Sequence, residues 1–161
     1  MRGKKTMIEI MTILLYGEEL NPLSLIEQLS KCNDFLVENI IIKGELSKFT
    51  KKPHKKSGCY IKSKSTGCYK DFNAYETWYV EFLEKNFDLI KKSNVTDIQI
   101  WTDLYMTKGN HGFEVFTRGN LNKLFGMNVA LPIDFHILSK KSIIEFADEM
   151  NIKYNKKSEI Y

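Results

Sequence analysis

The residues with most chemistry to offer in this sequence are lysines. Between Lys43 and Lys70 there are nine of them, at 43, 48, 51, 52, 55, 56, 62, 64 and 70, against the single acid Glu45. That stretch carries a net +8 in a chain whose total is +4, so the remainder sums to −4. The sequence describes a basic loop on an acidic body, a polarity that the mild overall charge conceals. Flexible lysines neutralise phosphates without demanding fixed geometry, and the neighbouring Phe49, Tyr60 and Tyr69 are of a type that stacks on bases. The run has no arginine to read base edges, and no helix-turn-helix or RNA-binding signature accompanies it. The same loop would also dock on an acidic protein surface, where complementary charge speeds association and selects partners. A third reading is a solvated, mobile loop that only keeps the protein in solution. The candidate contact residues on this side are Lys48, Lys51, Lys52, Lys55, Lys56, Lys62 and Lys64.

The acidic remainder can face a basic partner through Glu18 and Glu19, through Glu81, Glu84 and Asp88, or through Asp97, Asp103 and Asp134. Glu18, Glu19 and Asp103 are the candidates from this set. Asp134 sits between Ile133 and Phe135 in an apolar strand, where it points away from the sheet or pairs with a neighbour, with a catalytic role as the third reading. His111, in the turn Lys108-Gly109-Asn110-His111-Gly112, is the last candidate contact residue.

Catalysis and metal binding find less support. Nucleophilic catalysis needs a nucleophile, a base and an orienting group brought together. There is no Gly-x-Ser-x-Gly elbow, no phosphate-binding glycine loop and no His-Glu-x-x-His helix. His54, His111 and His136 have no paired spacing, and Cys59–Cys68 matches no common zinc pattern. We therefore expect no catalytic residues, no metal and no cofactor. Three cysteines are an odd number, which reads as reduced thiols; a Cys59–Cys68 disulfide closing a small hairpin is the alternative.

The elements that must position these residues follow from local patterns. Met7–Leu15 is a buried strand, and Asn21-Pro22 starts a helix by capping and by pre-set backbone. Asn39–Lys43 and Cys59–Ser63 read as strands. Asn73 and Glu76 form a capping-box-like pair ahead of the longest helix, whose Tyr75, Trp78, Tyr79, Phe82, Leu83 and Ile90 recur at helical spacing. That aromatic stripe reads as core rather than as a ligand platform. Asp97–Met106 alternates Ile98, Ile100, Thr102 and Leu104 on one side with Trp101 and Tyr105 on the other. Phe113–Phe116 is expected to return antiparallel to it as a hairpin. Thr117 or Asn120 opens a short helix ending at Gly126, Val129–Ile137 is a further strand, and Ser139 caps a last helix.

This order predicts one α+β domain over 1–161, with its core at about 7–150 and a polar tail at 151–161. The sheet is expected to be mixed, mostly antiparallel, of about six strands, with helices covering one face. Met7–Tyr16 is too short to span a membrane and carries Glu9, so no membrane association and a cytoplasmic location are expected. The oligomeric state has no signature in the sequence.

With the elements placed, the order of local motifs resembles a bacterial family of small uncharacterised α+β domains. The resemblance runs from Leu20-Asn21-Pro22 through Leu29, to Lys43-Gly44-Glu45 and the basic loop, to Ser57-Gly58-Cys59-Tyr60. It continues through a hairpin at Gly112–Thr117, Leu121-Asn122-Lys123-Leu124-Phe125-Gly126 and Ile133-Asp134-Phe135, covering roughly residues 7–138. Members of this family are often encoded beside secreted bacterial toxins. The resemblance implies an immunity protein that docks on and neutralises a cognate toxin. A nucleic-acid-binding accessory domain using the lysine loop 43–70 is the competing expectation.

Overall fold

The structure, a computed structural model, describes residues 7–65, 67–69, 75–109 and 114–152. Along the chain run β1 (Met7–Gly17), α1 (Pro22–Ser30), β2 (Leu36–Ile41), β3 (Ser57–Lys62), β4 (Cys68–Tyr69) and α2 (Tyr75–Lys92). They are followed by β5 (Asp97–Thr107), α3 (Arg118–Gly126), β6 (Ile133–Leu138) and α4 (Lys140–Glu149). This is the expected α+β fold with a mostly antiparallel sheet. The sheet order is β2-β3-β1-β5-β6, with β4 pairing a separate part of β1.

β1 is the keel. One of its edges is filled by β5 from Met7↔Met106 to Tyr16↔Asp97. The other edge is shared, with β4 opposite Ile8 and Glu9 and β3 opposite Ile13 to Gly17. Met11 falls in the gap, and α2 fills it. The Tyr79 hydroxyl donates to the Met11 carbonyl at 2.8 Å, and the Met11 N–H donates to the Tyr75 hydroxyl at 3.2 Å. Two side chains thus replace the strand hydrogen bonds that the gap removes, which a buried backbone requires. Burial pushes the phenols of Tyr75 and Tyr79 up, so both stay protonated donors.

The long apolar run of β1 is explained by helices on both faces. Met11, Ile13 and Leu15 pack on α1 and α2 with Leu25, Leu29, Tyr79, Leu83 and Ile90. Ile8 and Ile10 point the other way, onto Ile143 and Ala147 of α4. The expectation of cover on one face is therefore corrected: a strand apolar at both odd and even positions needs two layers. α4 covers only the Ile8–Ile10 end of its face. Beyond it, among the described residues, no helix lies over Thr12, Leu14 and Tyr16.

Asn21, Thr117 and Ser139 each accept a backbone N–H as helix caps. β5 alternates as expected, its even residues Ile98 to Met106 buried and its odd residues half-buried. The expected hairpin is overturned. β5 is bounded by β1 on one edge and by parallel β6 on the other, so no edge remains for a returning strand. Glu114–Phe116 forms no strand, and Phe116 enters the main core instead. Strand limits also shift: β2 and β3 each begin earlier than expected, and β6 begins only at Ile133, after an isolated bridge between Gln99 and Ala130. Asn73, the turn positions Asn110 to Phe113, Lys70 and residues 153–161 lie outside the described residues.

Candidate functional site

The segment between β2 and β3 is an ordered finger. Gly44, whose φ of 88 suits glycine, donates its N–H to the His54 carbonyl at 2.9 Å, and His54 donates back to Glu45 at 2.9 Å. Leu46 bridges Pro53, and Ser47 donates to the Lys52 carbonyl at 2.9 Å. At the tip, the buried Ser47 hydroxyl oxygen accepts from the N–H groups of Phe49 and Thr50, at 3.3 and 3.2 Å. Lys51 turns the chain with φ 57. This local net gives the loop a defined backbone path. It also fixes what the loop presents: Phe49 is 96% exposed and Leu46 65% exposed.

The charges separate in the same way. Lys62 pairs with Glu38 at 2.5 Å, Lys64 with Asp34 at 2.7 Å, and Lys43 approaches Glu19 at 3.9 Å. Lys48, Lys51, Lys52, Lys55 and Lys56 form no ion pair among the described residues. Within the basic stretch, the described lysines without an ion pair are thus those of the finger, and Lys48, Lys51 and Lys52 share its tip with Phe49. Tyr60 and Tyr69 are not beside it; Tyr60 faces the open side of the sheet and Tyr69 packs toward α4. Of the acidic candidates, Glu18 and Glu19 are exposed in the turn after β1, and Asp103 lies on the odd face of β5. His111 lies outside the described residues.

The open half of the sheet holds a shallow hollow of about 370 Å³, floored by Thr12 and Leu14. Its walls are Tyr16, Tyr60 and Trp101, with Glu38, Gln99 and Asp103 at the rim. Register builds it: Thr12 opposes Trp101, and Leu14 lies between Tyr60 and Gln99. Gly58 makes room, since a Cβ there would meet the Tyr16 ring at 2.5 Å. The Tyr16 and Tyr60 rings meet edge-on with centroids 6.0 Å apart, and their hydroxyls are 2.7 Å apart. Burial, then the Tyr60 hydroxyl, pushes the Tyr16 phenol up. Of these walls the sequence marks Tyr60 alone, as a stacking neighbour of the basic loop, while the alternation of β5 places Trp101 and Tyr105 on one side.

Asp103 is held from β6. His136 Nε2 lies 2.9 Å from its Oδ1, and Tyr105 stacks on the imidazole at 4.4 Å before meeting Phe146 of α4 at 4.3 Å. A histidine–carboxylate pair is two parts of a relay, but no hydroxyl or thiol is bonded to His136 among the described residues. Asp134 shares this face by register with Asp103 and is exposed. No group of three metal-ligating side chains occurs among the described residues.

The cysteines do not pair. Cys59 opposes Leu15 and Cys68 opposes Glu9, six residues apart on β1, a separation of about 20 Å at strand rise that no disulfide spans. None of the three cysteines is in a disulfide. Burial pushes the Cys59 thiol up to about 12. The aromatic stripe of α2 is core at Tyr75, Tyr79 and Phe82; Trp78 stacks on Phe82 and lines a smaller hollow of about 280 Å³ beside Cys32 and Lys85.

Comparison with family models, with curated proteins and with solved structures finds no match. Among the described residues, no helix is long and apolar enough to cross a membrane.

Proposed function

We propose that this chain is a non-catalytic docking domain that neutralises a cognate bacterial toxin, and that the finger between β2 and β3 is its main contact. The observation that carries this reading is Phe49, 96% exposed on a hydrogen-bonded turn that also carries Lys48, Lys51 and Lys52, none of them ion-paired among the described residues. An aromatic side chain held in place loses little conformational entropy on binding and makes an efficient anchor for a desolvated pocket. The surrounding lysines select an acidic partner surface and raise the association rate. The resemblance of the motif order to toxin-associated domains supports the immunity role.

The test is co-expression with the product of the adjacent upstream gene. A complex is expected that survives purification and silences the toxin, and that is lost in Phe49→Ala. An upstream gene with no toxin-like C-terminal domain, or a complex indifferent to Phe49→Ala, would sink the reading. The same exposed ring among lysines also favours a second reading, an accessory domain that stacks Phe49 on nucleic acid. That reading requires binding to oligonucleotides that weakens steeply with salt; no binding at low salt removes it.

A further inference from the structure

The hollow on the open half of the sheet is remote from the finger's tip and is not used by the docking reading. Thr12 on its floor is 8% exposed, and its side chain borders the hollow. Here the hydroxyl lies at the floor of a hollow, where a ligand can reach it.

The surroundings say which ligand. Trp101, Tyr16 and Tyr60 offer aromatic walls, whose ring faces carry negative charge density. The Tyr16–Tyr60 hydroxyl pair holds two of the rings in place without a mobile part. The carboxylates are Glu38, Asp97 and Asp103; Lys62 neutralises Glu38, and the Gln99 amide clamps Asp97 at 3.1 and 3.2 Å. Asp103 remains at the rim, oriented by His136 from the far side. Aromatic faces beside a carboxylate attract cations and repel anions.

We propose that this hollow is a binding site for a small organic cation, a guanidinium or alkylammonium group on a short apolar stem. The cation lies against Trp101 with Asp103 as its counter-charge, and one N–H donates to the Thr12 hydroxyl oxygen. A hollow of about 370 Å³ is within the range of small-ligand sites. The group can arrive as a free metabolite or as an arginine or lysine side chain of a protein; the chemistry is shared.

The experiment follows the Trp101 indole N–H by NMR in the intact chain, with Trp78→Phe to assign the two tryptophan signals. Agmatine is titrated to about 10 mM, well past the millimolar scale of weak sites. A saturable shift of the Trp101 signal is expected with agmatine, and none with butylurea, which keeps the four-carbon stem and carries no charge. Asp103→Asn is expected to weaken agmatine binding about tenfold. Thr12→Val, which keeps shape and loses the hydroxyl, is expected to weaken it about threefold. An unchanged amide spectrum away from the hollow shows that each variant is folded. N-acetylarginine amide separates the sources: binding equal to agmatine assigns the site to a protein side chain, and much weaker binding assigns it to a free metabolite. No saturable shift of Trp101, or butylurea binding as well as agmatine, overturns the proposal.

Discussion

The finger and the hollow rise from the same strands, β2 and β3, and are held in opposite ways. The finger closes largely on itself: its backbone–backbone bonds join residues within 42–54, and the Lys43 N–H donates to Ser57 Oγ at its base. The hollow is assembled from Thr12, Tyr60 and Trp101, which only the register of three strands brings together. The finger carries unpaired positive charge, and the hollow carries aromatic faces with a paired carboxylate. Local construction makes a surface that can change in sequence without disturbing the sheet. Long-range construction makes one that shares the stability of the whole fold.

The comparison breaks most visibly at the keel. Leu15→Ala removes a fully buried side chain from the β1 core and is expected to cost about 2–5 kcal/mol of unfolding free energy in a denaturant titration. The Trp101 environment should be lost in the same transition. If the hollow melted separately from the sheet, the account of its construction would be wrong.

Alkaline pH gives the next largest effect. The Cys59 thiol is raised from 9.0 to about 12 by burial, so folding favours its neutral form. The sign follows from linkage: its contribution is complete below pH 9, where both states are protonated, and is lost as pH rises toward 12. The shift corresponds to a loss on the order of 4 kcal/mol at most. The raised phenols of Tyr16, Tyr75 and Tyr79 add to the fall once the unfolded tyrosines begin to titrate near 10.0. Cys59→Ala should flatten the pH dependence of stability most clearly between 9 and 10, and an unaltered slope there would contradict the burial argument.

Ser47→Ala is expected to act on the finger alone. It removes the acceptor for the Phe49 and Thr50 N–H groups, worth about 1 kcal/mol. Hydrogen exchange at those two amides should rise about fivefold, with the global unfolding midpoint little changed. A matching global loss would mean that the finger is part of the main cooperative unit.

What was legible in the sequence divides along the same line. The caps at Asn21, Thr117 and Ser139 were readable because each acts within three residues. The two-faced alternation of β5 was readable because a strand's period is local. Partner choice was not: nothing near β5 announces that β6 lies parallel beside it, so a hairpin was expected where Glu114–Phe116 turns into the core. The helix α4 was placed, but the face it covers depends on both sides of β1 being apolar, a reading that requires the whole sheet. The finger's order had a local signal that went unused, a serine two and three residues ahead of the N–H groups it caps. The hollow had none, because Thr12 and Trp101 are separated by most of the domain and joined only by register.

The central claim is that the finger docks on an acidic protein surface, with lysines steering and Phe49 anchoring. Stopped-flow association with the product of the adjacent upstream gene tests it directly. Replacing Lys48, Lys51, Lys52, Lys55 and Lys56 with glutamine should slow association about tenfold or more and flatten its salt dependence, with dissociation nearly unchanged. Phe49→Ala should leave association nearly unchanged and speed dissociation about tenfold or more. If both variants bind and release the partner at the wild-type rates, the finger is not the docking surface.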